Sequence, residues 1–301
     1  MNITILGCHS ATPRSNFHTT SQLIELKNHM FLIDCGEGTQ IRLREEKIKF
    51  SRIKNIFISH LHGDHFYGLI GLINTFKLLG RSVDLNIYGP IGIKEVIKLQ
   101  LKLSNSWTDF RLYFHELNNS KAELVYEDSI VKVKTIPLIH RVYTNGFLFQ
   151  EKAGLRKIET EKVKLYNVPI CDYENLKNGK DFINEKGQTI KNSDLTLPPK
   201  KPFSYAFCSD TVFNPQMVNQ IKNVDLLYHE STFLNEHKDL ATKTLHSTAE
   251  QAGKIASLSN VGKLMLGHFS TRYRDKKMFI QEANKQFDNV FLAKEGETYK
   301  F

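Results

Sequence analysis

Apolar positions in this chain come in short β-branched and aromatic runs, and stretches with helical spacing lie between many of them. The first run, Met1 to Gly7, reads as a strand, and a Pro-, Ser- and Thr-rich loop follows from Cys8 to His18. Gln22–Leu26 and Met30–Asp34 alternate apolar with polar and read as a hairpin, after which a charged helix ends near Lys47. The pattern then predicts a strand at Asn55–Ile58, a helix from Phe66 to Leu79, a strand at Leu85–Gly89 and a helix beginning at Pro90. Short strands are expected between Arg111 and Pro137 and at Asn145–Gln150, then at Phe203–Cys208, from Val224 to Tyr228 and at Lys263–Gly267. A helix opens after Leu245-His246-Ser247-Thr248, with Ser247, Thr248 and Glu250 as its start signals, and a last helix and strand close the chain. The mixture of strands and intervening helices is that of an α/β fold.

Several of these strands end in groups that bind metals or carry protons. His60, His140, Asp210, His229 and His268 each lie at or just past a strand end, and strand ends of layered α/β folds converge on one sheet edge. The densest case is Ser59-His60-Leu61-His62-Gly63-Asp64-His65, directly after an apolar strand. In extended backbone, residues two apart point the same way, so His60 and His62 can grip one ion. Gly63 allows a tight turn, which puts Asp64 and His65 at the start of the next helix, facing a neighbouring point. That spacing suits two adjacent ions. Asp34 either caps the following helix or orients a group beneath the cluster. Asp210 can bridge two ions with its two oxygens or cap a turn before Pro215.

Length allows one large α/β domain, and residues 1–301 read as a single unit. Lys and Arg number 41 against 32 Asp and Glu, and the formal charge of +9 makes a polyanion a reasonable partner. Four cysteines, Cys8, Cys35, Cys171 and Cys208, are far apart with no Cys-x-x-Cys pair, as expected of reduced thiols in the cytoplasm. The N-terminus has no basic leader, and no apolar run is long enough to span a membrane.

Residues 151–201 break the rhythm. They hold eleven Lys or Arg against eight Asp or Glu, with Tyr166, Tyr173 and Phe182 among them. A polar insertion of this length reads either as an arm that holds a polyanion by phosphate contacts and stacking, or as a solvated segment with no ligand.

With these motifs on the page, the chain resembles the metallo-β-lactamase fold superfamily, whose His-x-His-x-Asp-His signature is met at His60, His62, Asp64 and His65. Within it the chain is most similar to the ribonuclease Z family of transfer RNA 3′-end endonucleases. The more specific motifs are Tyr67-Gly68-Leu69 after the histidines, His229-Glu230 with Thr232, His246-Ser247-Thr248, and His268-Phe269-Ser270-Thr271-Arg272-Tyr273. The resemblance implies a four-layer αβ/βα sandwich of the metallo-β-lactamase type with 151–201 as an inserted flexible, substrate-binding arm. It implies one Zn2+ on His60, His62 and His140, a second on Asp64, His65 and His268, and Asp210 between them. Asp64 would take the proton of the attacking water, and His246 with Glu230 would assist the leaving group. A precursor transfer RNA substrate, a cytoplasmic location and a homodimer are also implied. One departure concerns the arm, where many relatives carry Gly-Pro and this chain has Asn167-Val168-Pro169.

Intrinsic chemistry supports these roles. A histidine near neutral pKa donates a proton well if a carboxylate stabilises its charged form, as Glu230 can for His246; His246 can also be a plain neighbour of the helix cap. His229 can steady Glu230 or Asp210. Arg14 and Arg272 flank the expected site from loops, to contact phosphate or to face solvent. Three readings stay open at this point: an RNA endonuclease, a hydrolase of small phosphodiesters or sulfate or carboxylic esters on the same scaffold, and an inactive RNA-binding protein. The full set of donors argues against the last.

Overall fold

The apolar runs assemble into two seven-stranded sheets in the computed structural model, which describes residues 1–12 and 14–301. Pro13, in the loop expected after the first strand, lies outside the described residues. The chain divides into two compact units, one of Met1–Val125, Val133–Phe149 and Ser204–Phe301, the other of Tyr126–Lys132 and Gln150–Phe203.

The first sheet begins with β1 (Asn2–Gly7) and the hairpin β2 (Ser21–Leu26) and β3 (His29–Ile33), which turns at Lys27-Asn28. Helix α1 (Thr39–Glu45) leads to β4 (Ile53–Phe57), and α2 (Gly63–Phe66) and α3 (Gly68–Leu78) follow it. β5 (Leu85–Pro90), α4 (Ile93–Leu103) and β6 (Leu112–Leu117) complete this part, with β3 to β6 parallel. Two expectations need correction. The helix expected over 66–79 is two helices that meet at Tyr67, because the segment after the histidines must turn twice: the Gly68 amide binds the Cys35 carbonyl at 2.9 Å, and a side chain at 68 would collide with the Gly36 carbonyl. Pro90 does not open a helix. It ends β5, and Gly92, at a left-handed φ of 99°, turns the chain so that α4 starts at Ile93.

β7 (Leu124–Glu127), β8 (Val131–Leu138) and β9 (Thr144–Glu151) precede the arm. Residues 151–201 fall in the second unit, which contains β10 (Lys157–Ile158), α5 (Thr160–Leu165), α6 (Tyr173–Lys177), β11 (Phe182–Ile183), β12 (Thr189–Ile190), α7 (Asn192–Leu195) and β13 (Thr196–Leu197). Val163, Val168, Leu176, Phe182 and Leu195 form a small core of its own. Its ends meet at a backbone bond of 2.9 Å from Glu151 to Phe203.

The chain then adds β14 (Ser204–Cys208) and β15 (Leu226–Glu230), α8 (Lys238–Thr244), α9 (Ala249–Leu258), β16 (Leu264–Gly267), α10 (Lys277–Ala283) and β17 (Val290–Leu292). Helix α9 has Thr248 as its cap and closes a capping box with Gln251, so Thr248 does what its sequence position suggested. The strand order is β17-β16-β15-β14-β9-β8-β7 in this second sheet. Where one final strand was expected there are two: β18 (Thr298–Lys300) returns to the first sheet beside β1, giving the order β18-β1-β2-β3-β4-β5-β6.

The sheets face one another through an aromatic core. Phe149 packs 5.5 Å from Phe31 and 5.4 Å from Phe57, and the buried Tyr205 hydroxyl donates to Gln22 at 2.5 Å. Apolar faces of α1, α3 and α4 cover the outer side of the first sheet, while α9 packs on β15 and β16 and α10 on β17. This is a four-layer αβ/βα sandwich.

Candidate active site

At one edge of this sandwich, strands give way to residues whose backbone turns sharply. Asp34 after β3, Asp210 after β14 and His268 after β16 all have left-handed φ, at 55°, 61° and 58°. For non-glycine residues such angles cost about 1–2 kcal/mol each and persist where the surroundings enforce them. All three side chains are buried and enter one network.

The histidines are oriented from behind. Asp34 accepts from the Ser59 amide at 2.7 Å, the Ser59 hydroxyl at 2.8 Å and His65 Nδ1 at 2.7 Å. It therefore orients rather than caps; Gly38 stands at the start of α1. Since the Ser59 proton goes to Asp34, its oxygen accepts from His60 Nδ1 at 3.1 Å. His140 Nδ1 donates to the Leu245 carbonyl at 2.9 Å, and His268 Nδ1 donates to Thr232 Oγ1 at 2.8 Å. Each of these rings thus has its Nδ1 proton committed and turns Nε2 forward.

The forward atoms form two sets. In the first, His62 Nδ1 lies 3.0 Å from His60 Nε2 and 3.3 Å from His140 Nε2, and Asp210 Oδ2 lies 3.7 Å from both Nε2 atoms. In the second, Asp64 Oδ2 lies 3.4 Å from the Nε2 atoms of His65 and His268, and Asp210 Oδ1 lies 3.2 Å from the same two. Asp210 thus gives one oxygen to each set.

Such a donor set fits divalent cations. Tetrahedral bonds of about 2.0–2.1 Å separate donor atoms by about 3.3 Å, the spacing found here. In the first set, burial pushes His60, His62 and His140 below the ordinary imidazole range, which favours the neutral rings that bind metals. In the second set, buried His65 Nε2 has no hydrogen-bond partner. Burial opposes charge on His65, yet Asp210, Asp64 and Asp34 outweigh it and raise its pKa well above the ordinary value. Burial likewise would raise Asp210, but His268, His65 and His60 hold it well below the carboxylate range. The pocket is built around concentrated negative charge that calls for positive charge.

Beside the donors, His246 Nδ1 donates to Glu230 Oε1 at 2.9 Å. Glu230 is wholly buried and accepts further from the Thr211 amide at 2.7 Å, the Ser247 amide at 3.1 Å and the Thr232 hydroxyl at 2.5 Å. Burial alone would lower the His246 pKa, but the charge and hydrogen bond of Glu230, with Asp210 and Asp64, hold it up at about 9. His246 lines a cavity of about 410 Å3 shared with His62, Asp64, Asp210, His268 and Arg272.

Not every strand-end residue joins. His229 follows Tyr228 and precedes Glu230 on β15, and side chains alternate across a strand, so it faces away from the donors. Its Nδ1 binds the Glu230 backbone carbonyl at 2.7 Å and steadies neither carboxylate of the site. Arg272 lines the cavity, whereas Arg14 is exposed and, among the described residues, is not part of its lining. Arg141 went unnoticed in the sequence. It lines the cavity directly after His140, and an arginine following a strand-end histidine was the available signal.

A family model described as anti-Pycsar protein Apyc1 matches residues 1–163. Ribonuclease Z of Bacteroides fragilis is 46% identical over 292 residues, covering 97% of this chain and 96% of that protein. Ribonuclease Z of Porphyromonas gingivalis is 42% identical, covering 98% and 97%. Among solved structures, human tRNase Z, short form, superposes with a TM-score of 0.72 at 26% identity over 100% of this chain and 99% of that one. A metallo-β-lactamase fold protein from Bacillus subtilis shares the fold, with a TM-score of 0.71 at 18% identity over 99% and 98%.

Proposed function

This chain belongs to the ribonuclease Z family, and from that premise we propose that it removes the 3′ trailer from precursor transfer RNA by hydrolysis, leaving a 3′-hydroxyl on the transfer RNA and a 5′-phosphate on the trailer. Its first 163 residues also belong to the family described as anti-Pycsar protein Apyc1. That match includes His60, His62, Asp64, His65 and His140 but stops before Asp210, Glu230, His246 and His268, so the full-length relatives decide between the two.

The observation that carries the reading is Asp210 giving one oxygen to each of two donor sets beside the His246–Glu230 pair. His60, His62 and His140 would hold one Zn2+ and Asp64, His65 and His268 a second, with Asp210 offering an oxygen to each. When bound, such a pair acidifies water and neutralises charge on phosphoryl oxygens. Asp64, held as a carboxylate by its histidine neighbours, accepts a hydrogen bond from the attacking water, aims its lone pair at phosphorus and takes its proton. His246 has Nδ1 fixed to Glu230, which leaves Nε2 to protonate the departing 3′ oxygen. Arg272 and Arg141 receive the non-bridging phosphate oxygens at the rim, and Arg14 meets RNA farther out.

Residues 151–201 act as the substrate-binding arm of an otherwise single domain, supported by their basic excess and by a cleft of about 550 Å3 lined by Tyr166, Asn167, Pro169, Phe182 and Lys186. Within the arm Asn167 adopts φ 51°, a conformation asparagine tolerates. The protein works in the cytoplasm as a homodimer, for which the exposed apolar side chains Ile41 and Leu78 on neighbouring helices give support. Among the described residues no helix is long and apolar enough to cross a membrane.

The test is incubation of zinc-loaded protein with a precursor transfer RNA, mapping both new ends. A single cut beside the acceptor stem with the stated end groups is expected; hydrolysis of small phosphodiesters without RNA cleavage would overturn the reading.

A further inference from the structure

Next to the catalytic cavity the first unit holds another, of about 570 Å3; Arg141 lines both, and His140 lines the second. Its walls come from the loop after β6, from the turn between β8 and β9, and from the segment around Pro215–Met217. Six of its lining residues are carboxamides: Asn118, Asn119, Asn145, Asn214, Gln216 and Gln220. No Asp, Glu or Lys lines it, so it is suited neither to a cation nor, away from Arg141, to an anion. It is chemistry for a neutral, polar group that both donates and accepts hydrogen bonds, against apolar contacts from Val142 and Met217.

Two lining acceptors lack partners. Asn145, 1% exposed, commits its Nδ2 to the Tyr143 hydroxyl at 2.8 Å, and that hydroxyl in turn donates to the Asn119 carbonyl at 3.1 Å, while Asn145 Oδ1 has none. Gln220 Oε1 is also buried and unpaired. An unpaired buried acceptor is costly, and a ligand N–H removes that cost on binding.

We propose that this cavity receives the base of one of the two nucleotides joined by the scissile phosphate, with Gln220 and Asn145 accepting hydrogen bonds from its exocyclic amine or ring N–H. The inference rests on the proposed reaction: a nucleotide whose phosphate meets Arg141 must place its base within one sugar's reach, and this cavity opens on the other side of that arginine. Bases are read along their edges by carboxamides in the same way.

The test uses the full-length zinc-loaded protein and precursor transfer RNAs carrying each of the four bases at each of the two positions flanking the cut. Single-turnover kcat/KM is compared as a ratio between bases within one protein, so a general loss of rate cancels. The wild type should favour an N–H-rich base at one position by about three- to tenfold, the worth of one hydrogen bond. Gln220→Leu should bring that ratio toward one, and Gln220→Glu, which keeps an acceptor, should retain it; melting curves confirm that both variants fold. Equal rates for all bases in the wild type, or an unchanged ratio in Gln220→Leu, would overturn the proposal while leaving the endonuclease reading intact. Failure to cut any precursor would overturn both, and is thereby distinguished.

Discussion

The catalytic edge and the arm solve opposite problems with the same kinds of residue. At the edge, Asp34, Glu230 and Asp210 are buried, and every oxygen has a protein partner or faces a donor set. In the arm, charged side chains stay in water around a five-residue apolar core, and pairs such as Lys164–Glu161 lie on the surface. Buried, crowded polar groups fix atoms to fractions of an ångström, which bond cleavage requires. Exposed charge of this kind would suit the proposed role of the arm, reaching a large polyanion without fixing it.

This contrast can be broken experimentally. The largest effect is expected at Asp210: Asp210→Ala removes an oxygen from both donor sets, so metal content should fall and activity drop by about 10⁴-fold or more. Elemental analysis beside turnover checks it, and full occupancy by two ions would remove Asp210 from the ligand set. Next comes His246→Ala, which should keep its metal and lose about 10²–10⁴-fold in single-turnover rate. Excising residues 154–200 and joining the ends with a short glycine linker should lower kcat/KM for precursor transfer RNA by about 10²-fold relative to a small phosphodiester, as expected for the loss of two good phosphate contacts. Equal losses on both substrates would mean the arm is structural.

Smaller effects sharpen the comparison. Leu176→Ala in the arm core should destabilise that unit by about 2–5 kcal/mol, seen as a local gain in hydrogen exchange with the catalytic edge still protected. For Glu230→Gln the change is in pH. The acid form of His246 exists below its pKa and is lost as pH rises through it. Removing the Glu230 charge lowers that pKa from about 9 toward the ordinary 6.5, so the alkaline limb of the rate profile should move to lower pH. An unmoved limb would mean His246 is not the proton donor.

Much of this was legible in the chain itself. Period-two alternation marked the hairpin of β2 and β3, and apolar runs marked β1, β4, β14 and β16. The spacing of His60, His62, Asp64 and His65 follows from local geometry alone, since extended backbone and one helical turn fix where neighbours point. Less legible were events set by close approach, such as the break at Tyr67 and the start of α4 at Ile93, because a collision with Gly36 or a turn at Gly92 depends on neighbours distant in sequence or on one φ angle.

The sequence by itself determined which residue types stand at the strand ends, and therefore the kind of chemistry available. Only the tertiary structure decided that His140, Asp210 and His268 meet the histidine cluster while His229, one bond from Glu230, turns away. It also decided that Arg141 and a carboxamide-lined cavity stand beside them. The physical reason is range: side-chain direction repeats every two residues along a strand, whereas convergence of strand ends depends on how two sheets stack across an aromatic core.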